Sequence, residues 1–303
     1  MTMATLFCPL CGRGVRPSRG ARQRWQLVDC EACGHVMAPH ANGEALLQQR
    51  HFGDAFAGAD DGWTRAVDRA NARRVLRILG HALTPGARVL EIGPGHGALL
   101  VALAAGGFHV EGLELSPAVA LATSQRSRVP VRVGTIERYS RDTGVGYQAV
   151  VMRHVLEHMS DPVGAVEALH RLLMPDGVAY IAVPNIGAPE SALPGWTGYQ
   201  PYHLHYFTPA RLRALFERAG FRVVSIRTRE PFSGWVNAVV NSLRTRRDDG
   251  EPGPAGRPGR MVVGAYNVAR FAVGTLLAPL RVVQAWSGRG EEIELLARKP
   301  ERV

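Results

Sequence analysis

The sequence lacks a long apolar run. No stretch of the 303 residues reaches the roughly 18 consecutive apolar residues that a membrane-spanning helix needs. The first six residues carry no basic side chain, so we also expect no secretory signal peptide. Together these two absences predict a cytoplasmic protein.

Cysteine is scarce and confined to one end of the chain. All four cysteines lie before residue 34, so they form one local unit and cannot link the whole fold. They make two Cys-x-x-Cys pairs, a pattern typical of a structural tetrahedral zinc site with no open position. We therefore predict a zinc ribbon over residues 1–42, with two disulfides as the alternative that a reducing cytoplasm disfavours. The predicted Zn(II) ligands are Cys8, Cys11, Cys30 and Cys33.

Acidic residues are fewer than basic ones, which gives a formal net charge of +10. This balance favours anionic partners such as nucleic acid, phosphorylated substrates or an acidic membrane surface. Charge alone does not choose among them.

From residue 63 onward, apolar strand patterns alternate with helix patterns. This alternation predicts an α/β fold, with a doubly wound, mostly parallel, seven-stranded Rossmann-like sheet. We assign residues 60–230 to this domain and 291–303 to its last strand. A further strand is expected over residues 24–29, inside the ribbon. The seven strands of the sheet are predicted at 88–92, 108–113, 131–133, 149–152, 178–183, 221–227 and 292–297.

An insertion over residues 231–290 separates the last two strands. Its first part, 244–260, is rich in Arg, Gly, Pro and Asp, which predicts a disordered linker. Its second part, 261–286, is apolar, with Arg270 and Arg281 as its charged residues. We expect one or two amphipathic helices there, which lie on a membrane, cover the active site or pack on their own domain.

A glycine-rich turn follows the first strand of the sheet. Gly93, Gly95 and Gly97 precede a helix, so backbone can approach a ligand closely at a helix N-terminus with free N–H groups. Glu91, two residues earlier, would crowd a pyrophosphate but suits an ammonium or sulfonium group. Glu114 ends the next strand, where a carboxylate can bind both ribose hydroxyls. A charged nucleoside is therefore favoured over a nicotinamide dinucleotide.

The run from Glu91 to Gly97 resembles motif I of class I S-adenosylmethionine-dependent methyltransferases, and the similarity extends through nearly all of residues 70–230. The resemblance implies S-adenosylmethionine as cofactor. Thr135 stands where the family commonly has an aspartate for the adenine amino group. The implied cofactor contacts are Glu91, Gly93, Gly95 and Gly97 at the methionine end, Glu114 at the ribose, Leu115, Thr135 and Ile136 at the adenine, and His154 near the sulfonium.

The segment from His154 to His158 resembles one common in small-molecule and lipid methyltransferases of this class. Zinc-ribbon N-termini joined to this fold resemble deoxysugar C-methyltransferases, although their long C-terminal domain is missing here. The resemblance implies methyl transfer to an oxygen or carbon of a small-molecule, sugar or lipid-linked acceptor.

An oxygen nucleophile benefits from a general base, most often histidine. The candidates are His203, His205 and His154. The segment 202–209 resembles the His-x-x-Phe-Ser/Thr-Pro segment of related enzymes, although one histidine of the pair at 203 and 205 can instead be a buried structural residue.

Two other functions stay open. An RNA methyltransferase fits the charge and the zinc ribbon, but the residues after the fourth strand do not match the Pro-Pro-aromatic pattern of base-methylating enzymes. A non-catalytic S-adenosylmethionine-binding protein fits the departures at Gln148 and Thr135. Peripheral membrane contact through 261–286 would make a cytoplasmic protein membrane-associated.

Overall fold

The computed structural model describes residues 6–39, 62–230, 234–245 and 273–301. Contacts divide the chain into two compact units, which are described separately below. Both units are assembled from non-contiguous segments. The first unit comprises Met1–Pro39, Val183–Leu212 and Ile226–Glu294, and the second comprises His40–Ala182, Arg213–Ser225 and Leu295–Val303. The domain boundaries expected from the sequence stay a prediction.

Eleven strands and nine α-helices of the described residues are numbered here in chain order, and residues 273–276 are also helical. The strands are β1 (Val15–Pro17), β2 (Val28–Cys30), β3 (Val36–Met37), β4 (Arg88–Ile92), β5 (His109–Glu114), β6 (Val131–Val133), β7 (Tyr147–Arg153), β8 (Leu173–Pro184), β9 (His205–Tyr206), β10 (Arg222–Arg229) and β11 (Glu292–Arg298). The helices are α1 (Ala21–Arg24), α2 (Gly62–Gly80), α3 (Ala98–Ala105), α4 (Pro117–Ser127), α5 (Ile136–Asp142), α6 (Pro162–Leu172), α7 (Pro209–Arg218), α8 (Gly234–Thr245) and α9 (Ala278–Trp286).

Seven strands form the larger sheet, in the order β10-β11-β8-β7-β4-β5-β6. β4 pairs in parallel with β5 and with β7, β5 with β6, and β7 with β8. Helices lie between consecutive parallel strands along the chain, as crossover connections require. The predicted fold class is therefore confirmed.

The core of the second unit explains why its strands read as continuous apolar runs. Val89 and Val151 are fully buried at the centre of the sheet. They pack in one cluster with Leu79 of α2 and Leu103 of α3. Strands covered on both faces need apolar residues at every position rather than at alternate ones.

A second sheet, of order β1-β2-β3-β9, is antiparallel and lies in the first unit. The strand expected over residues 24–29 is wrong in its first half. Arg24 ends α1, and Gln26 has a φ of +51°, so the chain turns before β2 begins at Val28.

Helices α5 and α8 are absent from the sequence prediction. The expected linker begins inside α8, which runs to Thr245, and its remainder lies outside the described residues. Helix α9 covers the end of the apolar segment expected to be helical, while residues 261–272 of that segment are not described. No helix in the described ranges has the length and apolar character to cross a bilayer.

Candidate cofactor and methyl-transfer site

The glycine turn, Gly93–Gly97, directly follows the carboxyl end of β4. Gly93, Gly95 and Gly97 have φ values of +64°, +52° and +78°, a region that side chains with a Cβ rarely adopt. A Cβ on Gly93 would lie 2.5 Å from Cγ2 of Val155. Gly97 caps α3 without a side-chain hydrogen bond. The missing Cβ at Gly93 thus makes room for Val155, and no side chain caps the free N–H groups at the N-terminus of α3.

Thr123 of α4 holds this turn from behind. Its buried hydroxyl donates a hydrogen bond of 2.5 Å to the Gly95 carbonyl. Sequence reasoning missed this contact, because nothing local marks a threonine in the next helix as a partner of the turn.

Glu91 is buried at the end of β4, with a relative exposure of 4%. Burial raises the pKa of its carboxyl to about 8, while the charge of Arg153 and the backbone of Leu100 lower it. Its Oε2 has no hydrogen-bond partner among the described residues. A buried carboxyl with an unused acceptor beside an open turn is suited to bind a cationic group. Sequence reasoning missed Arg153.

Glu114 ends β5, where its Oε1 accepts a hydrogen bond of 3.0 Å from the Ser116 amide. Burial raises the pKa of this carboxyl, and the amides of Ser116 and Leu115 lower it. Leu115 follows directly and is 41% exposed. A carboxylate for a ribose and an apolar surface for a base thus lie side by side at this strand end.

The adenine-side residues divide into an exposed and a buried set. Thr135 caps α5, and its hydroxyl accepts from the Arg138 amide at 3.3 Å. Ile136 is 2% exposed, so it offers far less free surface than Leu115. An adenine contact by Thr135 and Ile136 stays a prediction.

His154 stands in a strained conformation directly after β7. Its φ is +52°, which is uncommon for a residue other than glycine and marks functional sites more often than ordinary loops. The side chain is 45% exposed, and its Nδ1 lies 3.5 Å from the Glu157 carboxylate, which is buried. His158 Nε2 lies 4.0 Å from the same carboxylate.

His203 is buried in the first unit, with its Nδ1 2.8 Å from the Gly198 carbonyl. Because a carbonyl can only accept, Nδ1 carries a proton, and in the neutral ring Nε2 is then the nitrogen that can accept one.

His205 is also buried, and its Nδ1 lies 3.1 Å from Nε2 of His35. The two rings stack with centroids 5.3 Å apart. Burial, followed by the charges of His205 and Arg211, holds the pKa of His35 well below its usual value. This geometry favours the structural interpretation of His205, and its catalytic role stays an untested prediction.

The four cysteines converge in the first unit. Their Sγ atoms all lie within 4.8 Å of one another. The distances are 3.7 Å between Cys8 and Cys33 and 3.4 Å between Cys11 and Cys30. A disulfide would need about 2.05 Å, whereas thiolates about 2.3 Å from one zinc ion stand roughly 3.8 Å apart. The donor set therefore fits a tetrahedral metal better than two disulfides.

The two Cys-x-x-Cys turns have the same local structure. Gly12 and Gly34 follow them with φ values of +71° and +70°. Each glycine amide donates to the carbonyl of the first cysteine of its pair, at 2.7 and 2.9 Å. This repeat is what two metal-binding knuckles require of the backbone.

The predicted site residues thus fall into two groups. The cofactor candidates and His154 lie together in the second unit, after β4, β5, β6 and β7, and carboxyl ends of parallel strands meet at one edge of a sheet. His203, His205 and the four cysteines belong to the first unit.

Comparison with known proteins gives the family. A family model described as a methyltransferase domain matches residues 63–226, more than half of the chain. A ubiquinone biosynthesis O-methyltransferase of Xanthomonas campestris is 32% identical over 130 residues, which cover 41% of this chain and 54% of that protein. The chain therefore spans about half the length of that relative. A protein of the same name from Xanthomonas axonopodis is 30% identical over 204 residues, which cover 61% of this chain and 83% of that protein.

A solved structure supports the same fold. A methyltransferase from Archaeoglobus fulgidus, described as dependent on S-adenosylmethionine, superposes with a TM-score of 0.54 at 16% identity. The superposition covers 85% of this chain and 100% of that one. At the level of the family, the prediction of an S-adenosylmethionine-dependent methyltransferase is confirmed: the chain belongs to the family that this methyltransferase domain defines.

Proposed function

We propose that this protein binds S-adenosylmethionine at the Gly93–Gly97 turn and transfers its methyl group to an oxygen of a small molecule. The observation that carries the proposal is the buried Glu91 carboxyl, whose Oε2 has no partner among the described residues, beside a side-chain-free turn in a methyltransferase domain. The names of the relatives support oxygen as the acceptor atom.

Each residue of the cofactor side has a defined task. Glu91 binds the ammonium group of the methionine moiety, which stabilises its own charged form. Glu114 accepts hydrogen bonds from the ribose hydroxyls, and Leu115 packs on the adenine. When bound, the cofactor supplies a methyl group on a positively charged sulfur. The chain has to align the acceptor with that methyl group and exclude water, because methyl transfer gains most from orientation.

We propose His203 as the general base for the acceptor hydroxyl. The Gly198 carbonyl fixes the tautomer in which Nε2 can take a proton. Burial keeps the ring out of water. His154 is the second candidate, since Glu157 can orient its ring in a similar way.

We also propose that Cys8, Cys11, Cys30 and Cys33 hold one structural Zn(II). The sulfur distances and the two matching turns support this assignment. Four thiolates leave no position for substrate, so the metal has no part in methyl transfer itself.

A peripheral membrane contact through α9 completes the proposal. Leu280, Val283 and Trp286 are 55%, 63% and 87% exposed along one face of this helix. The chain carries a net charge of +10, which is complementary to an anionic bilayer. An exposed apolar helix face on a basic protein suits the interfacial region of such a bilayer. A lipid-linked acceptor would be presented at that surface.

The experiment combines binding with transfer. Calorimetry with S-adenosylhomocysteine tests the cofactor site. Radiolabelled methyl transfer is then measured with hydroxylated small molecules, nucleotide sugars, lipid extract and total RNA. Label in an alkali-stable ether of a small molecule or lipid supports the proposal. Label in RNA, or on carbon, overturns the acceptor assignment, and binding without any transfer supports the non-catalytic alternative.

A further inference from the structure

The part of the chain that holds the four cysteines, residues 6–39 and here called the cysteine module, does not complete its own sheet. Its last strand, β3, pairs with β9, which comes from the segment that follows β8. Val36 lies opposite Tyr206, and Met37 lies opposite His205. The Ala38 amide extends this pairing with a hydrogen bond of 2.9 Å to the Leu204 carbonyl. The segment 186–207 is thus joined to the module through backbone.

Side chains join the same two parts of the first unit. Leu27 and Val36 from the module share one buried cluster with residues of the segment 186–207. The residues that the segment contributes are Ile186, Trp196, Tyr199 and Tyr206. The module therefore supplies part of the hydrophobic core that the segment needs.

Trp25 makes the most specific of these contacts. Its ring stacks on Tyr199 with centroids 5.7 Å apart, and its indole N–H donates to the Pro194 carbonyl at 3.3 Å. A second link is the buried His35–His205 pair. Trp25 contacts the segment before His203, and His35 contacts it after His203.

The segment has little regular structure of its own. It contains one short 3₁₀ turn, Pro189–Ala192, and the two-residue strand β9. Short elements of this kind are not stable without tertiary partners. The described part of the module in turn contains only short strands and the four-residue helix α1, and small modules of this type depend on a bound metal for folding.

We propose that the metal-bound cysteine module holds the segment 186–207, and with it His203, in its folded conformation. Trp25, His35 and the Ala38 amide are positioning residues that act through the segment, and none of them is a catalytic residue. This inference rests on the proposed function for the role of His203, but the coupling itself is independent of it. Metal status should therefore control the acceptor side and leave the cofactor side unchanged.

The first test is hydrogen–deuterium exchange with and without chelation of the metal by 4-(2-pyridylazo)resorcinol. We expect amides of 186–207 to exchange at least about tenfold faster after metal release. Amides of 88–105, in the other unit, should keep their rates. Unchanged exchange in 186–207 after complete metal release would overturn the inference.

A second variant separates the coupling from the folding of the module. Ala38→Pro removes the N–H that bonds Leu204 and leaves the four cysteines intact, whereas Ala38→Ser keeps the N–H and is the matched control. We expect Ala38→Pro to retain one zinc per chain and its affinity for S-adenosylhomocysteine. Exchange in 186–207 should rise, and kcat should fall about tenfold. Ala38→Ser should match the native protein.

The outcomes of the two tests are distinguishable. Loss of S-adenosylhomocysteine binding by the native chain contradicts the proposed function, but the exchange data still decide the coupling. Native exchange rates and kcat in metal-loaded Ala38→Pro contradict the coupling, even if methyl transfer is established.

Discussion

At the residue scale, the cofactor side is defined by one carboxyl that is costly to bury. Burial raises the pKa of the Glu91 carboxyl to about 8, so the carboxyl is neutral below that pH. An ammonium group in contact with it would favour the ionised form. Binding of the nucleoside and loss of the Glu91 proton are therefore coupled.

The first prediction concerns this coupling. Affinity for S-adenosylhomocysteine should rise as the pH increases from 6 to 8, by up to about tenfold per unit, and level off above 8. The sign follows because the free site holds a proton below pH 8 that the bound site must release. Calorimetry in two buffers of different ionisation enthalpy measures the proton release directly. Glu91→Gln should bind weakly and without this pH dependence, and a native affinity that is flat with pH contradicts the assignment.

The second prediction concerns the base. His203→Ala should lower kcat by about 10²–10⁴-fold at pH 7 with cofactor affinity retained. His205→Ala should chiefly lower thermal stability, because it removes a buried contact with His35. Steady-state kinetics and a melting curve on both variants give the answer. If His154→Ala loses kcat and His203→Ala does not, the base is His154.

Several site residues could be predicted from the sequence because their signal is local. The glycines and the two glutamates occur at fixed spacing at the ends of two strands. Glycines and a carboxylate at such positions are typical of a ligand-binding site. Thr123 and Arg153 could not be predicted, since each acts on the turn or on Glu91 from a distant position in the chain. The strain at His154 also has no sequence signature.

At the element scale, strand β9 shows what pattern analysis misses. Two residues cannot display a period, and His205 and Tyr206 become a strand only because β3 lies beside them. Helix α5 was missed for a related reason, since its seven residues are too few to show a clear period, whereas α8 is long enough to show one and was overlooked beside the expected linker. Long buried strands such as β4 and β7 could be predicted, because apolar residues follow one another along the strand.

Helix α9 is anchored by an unusual group of carboxyls. Gln284 donates hydrogen bonds of 2.9 Å to Glu190 Oε1 and to Glu230 Oε2. Burial, then repulsion from Glu190 and Glu291, raises the pKa of Glu230 to about 9. Burial also raises the pKa of Glu291 to about 7. Arg281 faces the group and donates to the Glu230 carbonyl.

The third prediction follows from this group. Between the ordinary value of 4.5 and the raised values, the folded protein holds protons that the unfolded chain releases. Stability should therefore fall as the pH rises from 6 to 9, on the order of 5 kcal/mol in total for the two carboxyls. Urea unfolding at a series of pH values measures it. Glu230→Gln should reduce the slope, whereas stability that rises with pH would contradict the raised pKa values of these carboxyls.

At the scale of the whole molecule, fold and family could be predicted but the division into units could not. Alternating strands and helices predict a parallel sheet, and Glu91 ahead of the glycine turn favours a charged nucleoside as ligand. Each unit is built from segments distant in sequence, and nothing in the sequence pattern marks that Val183–Leu212 joins the cysteine module. The methyl acceptor could not be predicted from the sequence either, because one fold supports many chemistries.

The fourth prediction tests membrane contact of the full chain. It should float with vesicles that contain about 30 mol% phosphatidylserine, because their surface is anionic. It should float less with neutral vesicles. Val283→Asp should abolish flotation, since it places a charge in the apolar face of α9. Leu121→Asp, at another exposed apolar residue in the second unit, is the matched control. Equal flotation of both variants contradicts a role for α9.

The most direct test of the central claim is calorimetry of the purified chain with S-adenosylhomocysteine and with NADH. We predict one site for S-adenosylhomocysteine, no binding of NADH, and loss of the site in Gly95→Arg, whose side chain would occupy the turn at a φ of +52°. Gly107→Arg, at a glycine with positive φ and open space around it, should bind normally. Binding of NADH in place of the nucleoside, or full affinity in Gly95→Arg, would contradict the account.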